Sequence, residues 1–205
     1  DVNDRSLLWG FQYPRQTNRF NQGFMVWQLN GQGSSPSESN RWQDATITLA
    51  DGRAYLAPPE SDKLFCVNLL DGKLLWKQER GQGLYIASVA DDRAVVVAGN
   101  EVRAYNAADG KLIWTLALPE GASPSGRGFF NGKHYFLPLS SAEVAAIDPA
   151  EGRFVARNKS RSGSIPGNLI CYRGAVISQG TGGLECFFQL EDLRREVKNK
   201  LAASP

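Results

Sequence analysis

A chain of 205 residues with 42% hydrophobic side chains and 21 glycines can bury a sizeable core and must turn often. Its formal charge of +2, with basic and acidic residues interspersed, leaves no basic stripe for nucleic acid or an anionic membrane surface. Three cysteines in no zinc spacing, a single histidine and no apolar run of transmembrane length spell neither a metal cluster nor a membrane span.

Residues 1–13 read as the tail of a hairpin. Val2-Asn3 parallels Val67-Asn68 further on, and Leu7-Leu8-Trp9 parallels Leu74-Leu75-Trp76, so the chain opens inside a repeat unit. That opening predicts a segment of a longer polypeptide, or an N-terminal strand that completes the last unit by ring closure. Asp1-Val2-Asn3-Asp4 has no signal-peptide layout. Residues 14–43 then break the pattern, with polar residues around an apolar patch from Gly23 to Trp27. This insert is expected to pack by Trp27 and Trp42, or to meet a partner.

From residue 44 a unit of four short strands recurs, at about 44–79, 86–118, 128–158 and 168–189. Each opens on a tight turn, at Asp51-Gly52, Asp91-Asp92, Asn131-Gly132 and Arg173-Gly174. The first three close on a longer hairpin: LFCVNLLDGKLLW at 64–76, VRAYNAADGKLIW at 102–114 and VAAIDPAEGRFVA at 144–156. Gly72, Gly110 and Gly152 supply the positive φ that such a turn needs, and Asn106 and Asp109 can bond backbone amides across it. Leu64, Val102, Val144 and Leu184 stand 38, 42 and 40 residues apart. Two hairpins per ~40 residues is the spacing of a β-propeller blade. The fold class is therefore all-β: about four four-stranded antiparallel blades over residues 1–189, a partial propeller. In the third unit HYFLPL forms the middle strand, and Pro138 is expected to mark its end.

After Phe188 the period changes. Leu190, Leu193, Val197 and Leu201 lie at helical spacing, which predicts an amphipathic C-terminal helix and linker over 190–205. Cys171 and Cys186 fall on the first and third strands of the fourth blade, too far apart to bridge. With Cys66, they are expected to be small buried hydrophobes. His134 is expected to be a satisfied strand residue.

At 104–111, AYNAADGK followed by Trp114 resembles the repeat of the pyrroloquinoline-quinone (PQQ)-type propellers, the quinoprotein alcohol dehydrogenase-like family. Residues 64–76 match as well. At 144–156 the likeness weakens, because Ala156 stands where the tryptophan is due, and after Leu184 it is poor. The resemblance implies that Trp76 and Trp114 dock between adjacent blades. It implies that ligands meet the inter-blade loops, 81–85, 121–128 and 160–168, and the loops joining second to third strands, 58–62, 99–100, 140–143 and 180–183. Export is implied too, while the unpaired cysteines point mildly the other way. The family holds dehydrogenases and an outer-membrane assembly scaffold alike, so the fold alone does not choose a function.

Among the loop residues Arg127, in SPSGRG, could clamp a carboxylate or phosphate with help from flexible amides, although such glycines more often serve the turn itself. Tyr85, Gln82, Arg161 and Asn168 are further ligand-binding candidates, and neither a catalytic set nor a metal site is spelled. The favoured expectation is a noncatalytic binding or scaffolding segment of a larger protein. It would need no cofactor, and its partner would be a protein or peptide at the loop face, the remaining chain, or a second subunit. A PQQ-dependent dehydrogenase is the enzyme alternative. That chemistry needs the quinone, calcium and a carboxylate base, and commonly an adjacent cysteine pair that this chain lacks. A purely structural connector between domains is the third reading.

Overall fold

The computed structural model describes residues 7–14, 44–160, 162–180, 182–188 and Lys198. Its strands form four antiparallel sheets, each a meander in chain order. The first holds β1 (Thr48–Ala50), β2 (Arg53–Leu56), β3 (Lys63–Asn68) and β4 (Leu74–Glu79). The second holds β5 (Gly83–Ala90), β6 (Arg93–Ala98), β7 (Glu101–Asn106) and β8 (Leu112–Ala117). β9 (Phe129–Phe130), β10 (Tyr135–Leu139), β11 (Glu143–Asp148) and β12 (Arg153–Lys159) make the third. The fourth has β13 (Asn168–Tyr172), β14 (Ala175–Gln179) and β15 (Leu184–Phe188) only. These are propeller blades, three complete and one of three strands among the described residues, and the fold is a partial β-propeller. The first two sheets belong to one compact unit, residues 1–117, and the last two to a second, residues 118–205. The helix expected over 190–205 is not borne out: apart from Lys198 that stretch lies outside the described residues, as does the insert after Pro14.

Turn chemistry sets the meander. Ala50 pairs with Arg53, Ala90 with Arg93 and Tyr172 with Ala175, so Asp51-Gly52, Asp91-Asp92 and Arg173-Gly174 fill two-residue loops. Both residues of each loop have φ between 48° and 76°. This is the type I′ conformation, whose twist matches that of the strands it joins. Asn131-Gly132 is different: Phe130 pairs with Tyr135, which leaves residues 131–134 as the loop, and Asn131 Oδ1 accepts the amides of Lys133 and His134 at 3.0 and 2.8 Å. His134 thus precedes β10 rather than lying in it.

The longer hairpins repeat one another bond for bond. Asn68, Asn106 and Asp148 each accept at the side chain from the amide two residues on, at 2.8, 2.8 and 2.9 Å. Their carbonyls accept from Gly72, Gly110 and Gly152 at 2.9, 2.8 and 2.9 Å. Those three glycines have φ of 69°, 74° and 66°. Each following strand carries a bulge that skips one residue, so that Cys66 faces Trp76, Ala104 faces Trp114 and Ala146 faces Ala156. An extra residue on one strand bends it and re-aims the side chain that follows.

In the first unit this geometry builds the core. Trp76 lays its ring over Gly110, where a Cβ would come within 2.7 Å of it, and its Nε1 donates to the Ala107 carbonyl at 3.0 Å. Tyr55 donates its hydroxyl to the same carbonyl at 3.2 Å. Leu64, Cys66, Ile86, Ala94, Val96 and Tyr105 complete the cluster between the first two sheets. Residues 7–14 use the same lock: Trp9 Nε1 donates to the Leu69 carbonyl at 3.0 Å, and its ring lies over Gly72.

Two expectations for the second unit are corrected. Cys66 is buried, but Cys171 and Cys186 are exposed. Trp76 and the second sheet cover Cys66, whereas no described strand lies beyond β15, which carries Cys186. Pro138 lies inside β10, paired with Val144, rather than at its end. Its carbonyl accepts from Ser125 at 3.1 Å, so its N–H-less nitrogen faces the 123–125 segment and takes no bond from the β11 ladder.

Candidate functional site

Antiparallel meandering brings the second-to-third-strand loops and the inter-blade loops to one end of the sheets. In the first unit these are residues 57–62, 80–82 and 99–100. Arg80, which closes β4, is fully buried and organises them: its Nη1 donates to the Pro58 carbonyl at 2.6 Å and its amide to the Asp62 carbonyl at 2.7 Å. The Arg80 carbonyl in turn accepts from Arg103 Nη2 at 2.7 Å and from the Gly83 amide at 2.9 Å. Arg103 also reaches the Tyr105 hydroxyl at 2.9 Å and the Glu101 carboxylate at 3.2 Å. Burial of Tyr105 raises its phenol above the usual value. The loop end is therefore rigid, with two guanidiniums spent on backbone and side-chain partners. Of the sequence candidates here, Gln82 is exposed and accepts the Gly99 amide at its carbonyl, 3.2 Å away. Tyr85 stands two residues into β5 and is fully buried, a core side chain rather than a loop one.

The second unit builds its loop end from serine and glycine. Ser123 and Ser140 exchange bonds, the Ser140 amide to the Ser123 carbonyl at 2.8 Å and the Ser123 amide to Ser140 Oγ at 3.0 Å. Ser125 Oγ donates to the Pro166 carbonyl at 2.6 Å. Arg127 and Asn168 do meet: Asn168 Oδ1 accepts the Arg127 amide at 2.8 Å, and the Arg127 carbonyl accepts from Leu169 at 2.7 Å. The glycines around them serve close backbone approach. A Cβ on Gly126 would overlap the backbone at Gly167, one on Gly167 the Gln179 carbonyl, and one on Gly128 the Phe136 carbonyl. Arg161 lies outside the described residues.

Sequence reasoning passed over an ion pair in which the carboxylate is buried and the guanidinium exposed. Glu143, at the start of β11, is buried and takes both Arg157 Nε at 3.0 Å and Nη2 at 2.7 Å. The signal was available. Glu143 occupies the register of Lys63 and Glu101, each of which also opens a third strand and is ion-paired, to Glu79 and Arg103 respectively. Arg80 had no comparable signal, because an arginine before Gly-x-Gly reads as solvated loop.

Among the described residues, no group of three or more His, Cys, Asp or Glu is placed to hold a metal ion. Cys66 is buried, with burial pushing its thiol up to about 11. No helix among the described residues is long and apolar enough to cross a membrane.

The docking tryptophans have clear registers. Trp76 is locked on Gly110 and Ala107, Gly72 seats Trp9, and Trp114 stands half-buried on β8, opposite Ala104. Solved structures share this fold. BamB from Moraxella catarrhalis is matched with a TM-score of 0.52 at 16% identity, over 69% of this chain and 44% of that one. The computationally designed Ika4 protein is matched with a TM-score of 0.58 at 13% identity, over 78% of this chain and 99% of that one. The designed Ika8 protein gives 0.54 at 13% identity, over 74% and 47%. The chain thus spans less than half the length of the BamB structure. No curated protein matches its sequence. A family profile described as outer membrane protein assembly factor BamB matches residues 13–203, and the chain belongs to that family of PQQ-type propeller-repeat proteins.

Proposed function

We propose that the chain is a noncatalytic binding and scaffolding module that takes no cofactor and holds a protein partner against the loop end of its blades, on the exported side of a cell envelope. The observation that carries this reading is the family match over residues 13–203 to an outer-membrane assembly factor. The loop geometry supports it. Arg80, Arg103, Ser123 and Ser140 fix the loop ends through backbone bonds, and a preorganised surface loses less entropy on docking a partner. Exposed Gln82 and Asn100 in the first unit offer amide groups suited to a peptide backbone, and Asn168 in the second, whose Oδ1 already holds the Arg127 amide, offers its N–H donors.

The test is photocrosslinking from a benzoylphenylalanine placed at Gln82, Asn100 or Asn168 of the chain, with Leu70 at the opposite end of the sheet as control. Saturable crosslinks to an outer-membrane assembly protein from the loop positions, and none from Leu70, are expected. Equal labelling at Leu70 would overturn the loop-face assignment. The dehydrogenase alternative is checked by thermal shift with micromolar PQQ and calcium: a saturable rise in Tm would replace the noncatalytic reading.

A further inference from the structure

Three asparagines cap a turn in the same way and differ at the residue that follows. Asn68, Asn106 and Asn131 each accept at Oδ1 the amide two residues on, at 2.8, 2.8 and 3.0 Å. After Asn68 and Asn106 come Leu69 and Ala107, whose amides are spent on the Gly52 and Asp92 carbonyls of the neighbouring turns, both at 2.9 Å. After Asn131 comes Gly132, exposed, with a φ of 92° and open space where a Cβ would stand. Among the described residues nothing accepts from its amide.

That difference bears on one reaction. The backbone amide after an asparagine is the nucleophile that closes a succinimide ring onto the side-chain carbonyl carbon, and it attacks fastest when neither a side chain nor a hydrogen bond holds it back. At Asn131 the carbon is activated as well. Its Oδ1 accepts both the Lys133 and the His134 amide, at 3.0 and 2.8 Å, so two N–H donors face the oxygen on which negative charge develops. Asn106 shares that feature through Ala108 and Asp109, so the nucleophile and not the carbonyl separates the sites.

We propose that Asn131-Gly132 is a deamidation site, which the folded chain modifies ahead of its other capping asparagines. Solvent base takes the Gly132 amide proton and the nitrogen bonds to Asn131 Cγ. The Cγ–Nδ2 bond breaks, and ammonia leaves with a proton from solvent. Water then opens the succinimide at either carbonyl, giving aspartate or isoaspartate and a new negative charge two residues before Lys133. The aspartate form keeps the loop, as Asp148 shows by capping its own turn with a carboxylate that takes the Ala150 and Glu151 amides at 2.9 and 3.3 Å. The isoaspartate form runs the main chain through Cβ. It lengthens the loop between paired Phe130 and Tyr135, at the expense of the 3.1 Å bond from the Asn131 amide to the His134 carbonyl. The site lies at the hairpin end of the third sheet, so the proposal is independent of the loop-face function.

The full chain is incubated in mildly alkaline buffer, native or in urea, then quenched with acid and digested with trypsin. Digestion puts the three asparagines on separate peptides, GFFNGK (128–133), LFCVNLLDGK (64–73) and AYNAADGK (104–111). Mass spectrometry reads the exchange of NH2 for OH on each, chromatography splits aspartate from isoaspartate, and a digest at time zero corrects for handling. In the native chain GFFNGK is expected to convert first. Having to release a bonded amide slows attack by about 2- to 10-fold. The lead of GFFNGK is therefore expected to be larger by that factor in the native chain than in urea, where the missing side chain of glycine is the one advantage left. A GFFNGK that stays unconverted in the native chain, over the time that the unfolded chain converts it, overturns the proposal. So does a lead of the same size native and in urea, which would make the preference a property of the sequence alone.

Discussion

Replacing Trp76 with alanine tests the lock on which the blade repeat depends. The substitution empties the space over Gly110 and deletes the N–H that meets the Ala107 carbonyl. Core aromatic-to-alanine changes cost about 3–5 kcal/mol. Tyr55 still donates to Ala107 at 3.2 Å, so the carbonyl is not orphaned and the lower end, about 3 kcal/mol, is expected. At about 2–4 °C per kcal/mol for a chain of this size, Tm should fall by roughly 6–12 °C. Urea titration followed by far-UV circular dichroism is the assay, because the change itself removes a fluorophore. Gly110→Ala supplies the second arm. Its φ of 74° and a Cβ 2.7 Å from the indole make it costly with Trp76 present, about 2 kcal/mol. In the Trp76→Ala background only the backbone strain remains, about 1 kcal/mol. The cycle should therefore show coupling of about 1 kcal/mol. A Trp76→Ala cost under about 1 kcal/mol, or strictly additive effects, would refute the docking argument.

Burial raises the Cys66 thiol from 9.0 to about 11, so the folded state holds its proton more tightly than the unfolded chain. That contribution is full below pH 9 and is lost as pH rises toward 11; Cys66→Ala should flatten the fall in stability across this window, read as urea midpoints at each pH. Towards thiol reagents Cys171 should react at once and Cys66 only on unfolding, which a timed absorbance titration distinguishes. Arg157→Ala should cost about 1.5–3 kcal/mol by leaving the buried Glu143 carboxylate without its paired donors, and the Glu143→Gln/Arg157→Ala double variant should recover part of that loss in a double-mutant cycle. Gly167→Ala should destabilise the second unit by about 1–3 kcal/mol through overlap with the Gln179 carbonyl. Gly182→Ala, in open space, should be near neutral by the same thermal melt.

The turns made the fold legible. Asp-Gly, Asp-Asp and Arg-Gly pairs recurring between apolar runs have few conformations available, and the structure uses the type I′ one at each. The Asn-x-x-x-Gly hairpins were as readable, because side-chain capping and a positive φ are both written in local residue types. What escaped was whatever depended on distant strands. Cys66 lies on a strand that β4 covers, while Cys186 lies on the last strand of its sheet among the described residues, and no local pattern states that. Pro138 was misplaced because a proline stops a strand only when its nitrogen faces a ladder, and the facing direction is set by the neighbouring segment. At the loop end, Arg127 and Asn168 were selected for their side chains. The contact that joins them uses the Arg127 backbone amide, which sequence reading does not see.

The repeat couples two jobs in one stretch of chain. The hairpin at 106–110 closes itself through Asn106 and Gly110, and the same turn presents the Ala107 carbonyl and a bare glycine surface as the seat for Trp76. The turn at 68–72 does so for Trp9. A side chain at the glycine would spoil both the turn and the seat, so local folding and blade stacking are specified by the same few residues. Because these locks sit at the hairpin end, the opposite end of each sheet is free of them. There the two units use different devices: buried Arg80 and Arg103 in one, Ser123, Ser140 and closely packed glycines in the other. A scaffold that fixes its blades at one end can vary its loops at the other without altering its fold, which is the division of labour that the proposed loop-end docking would use.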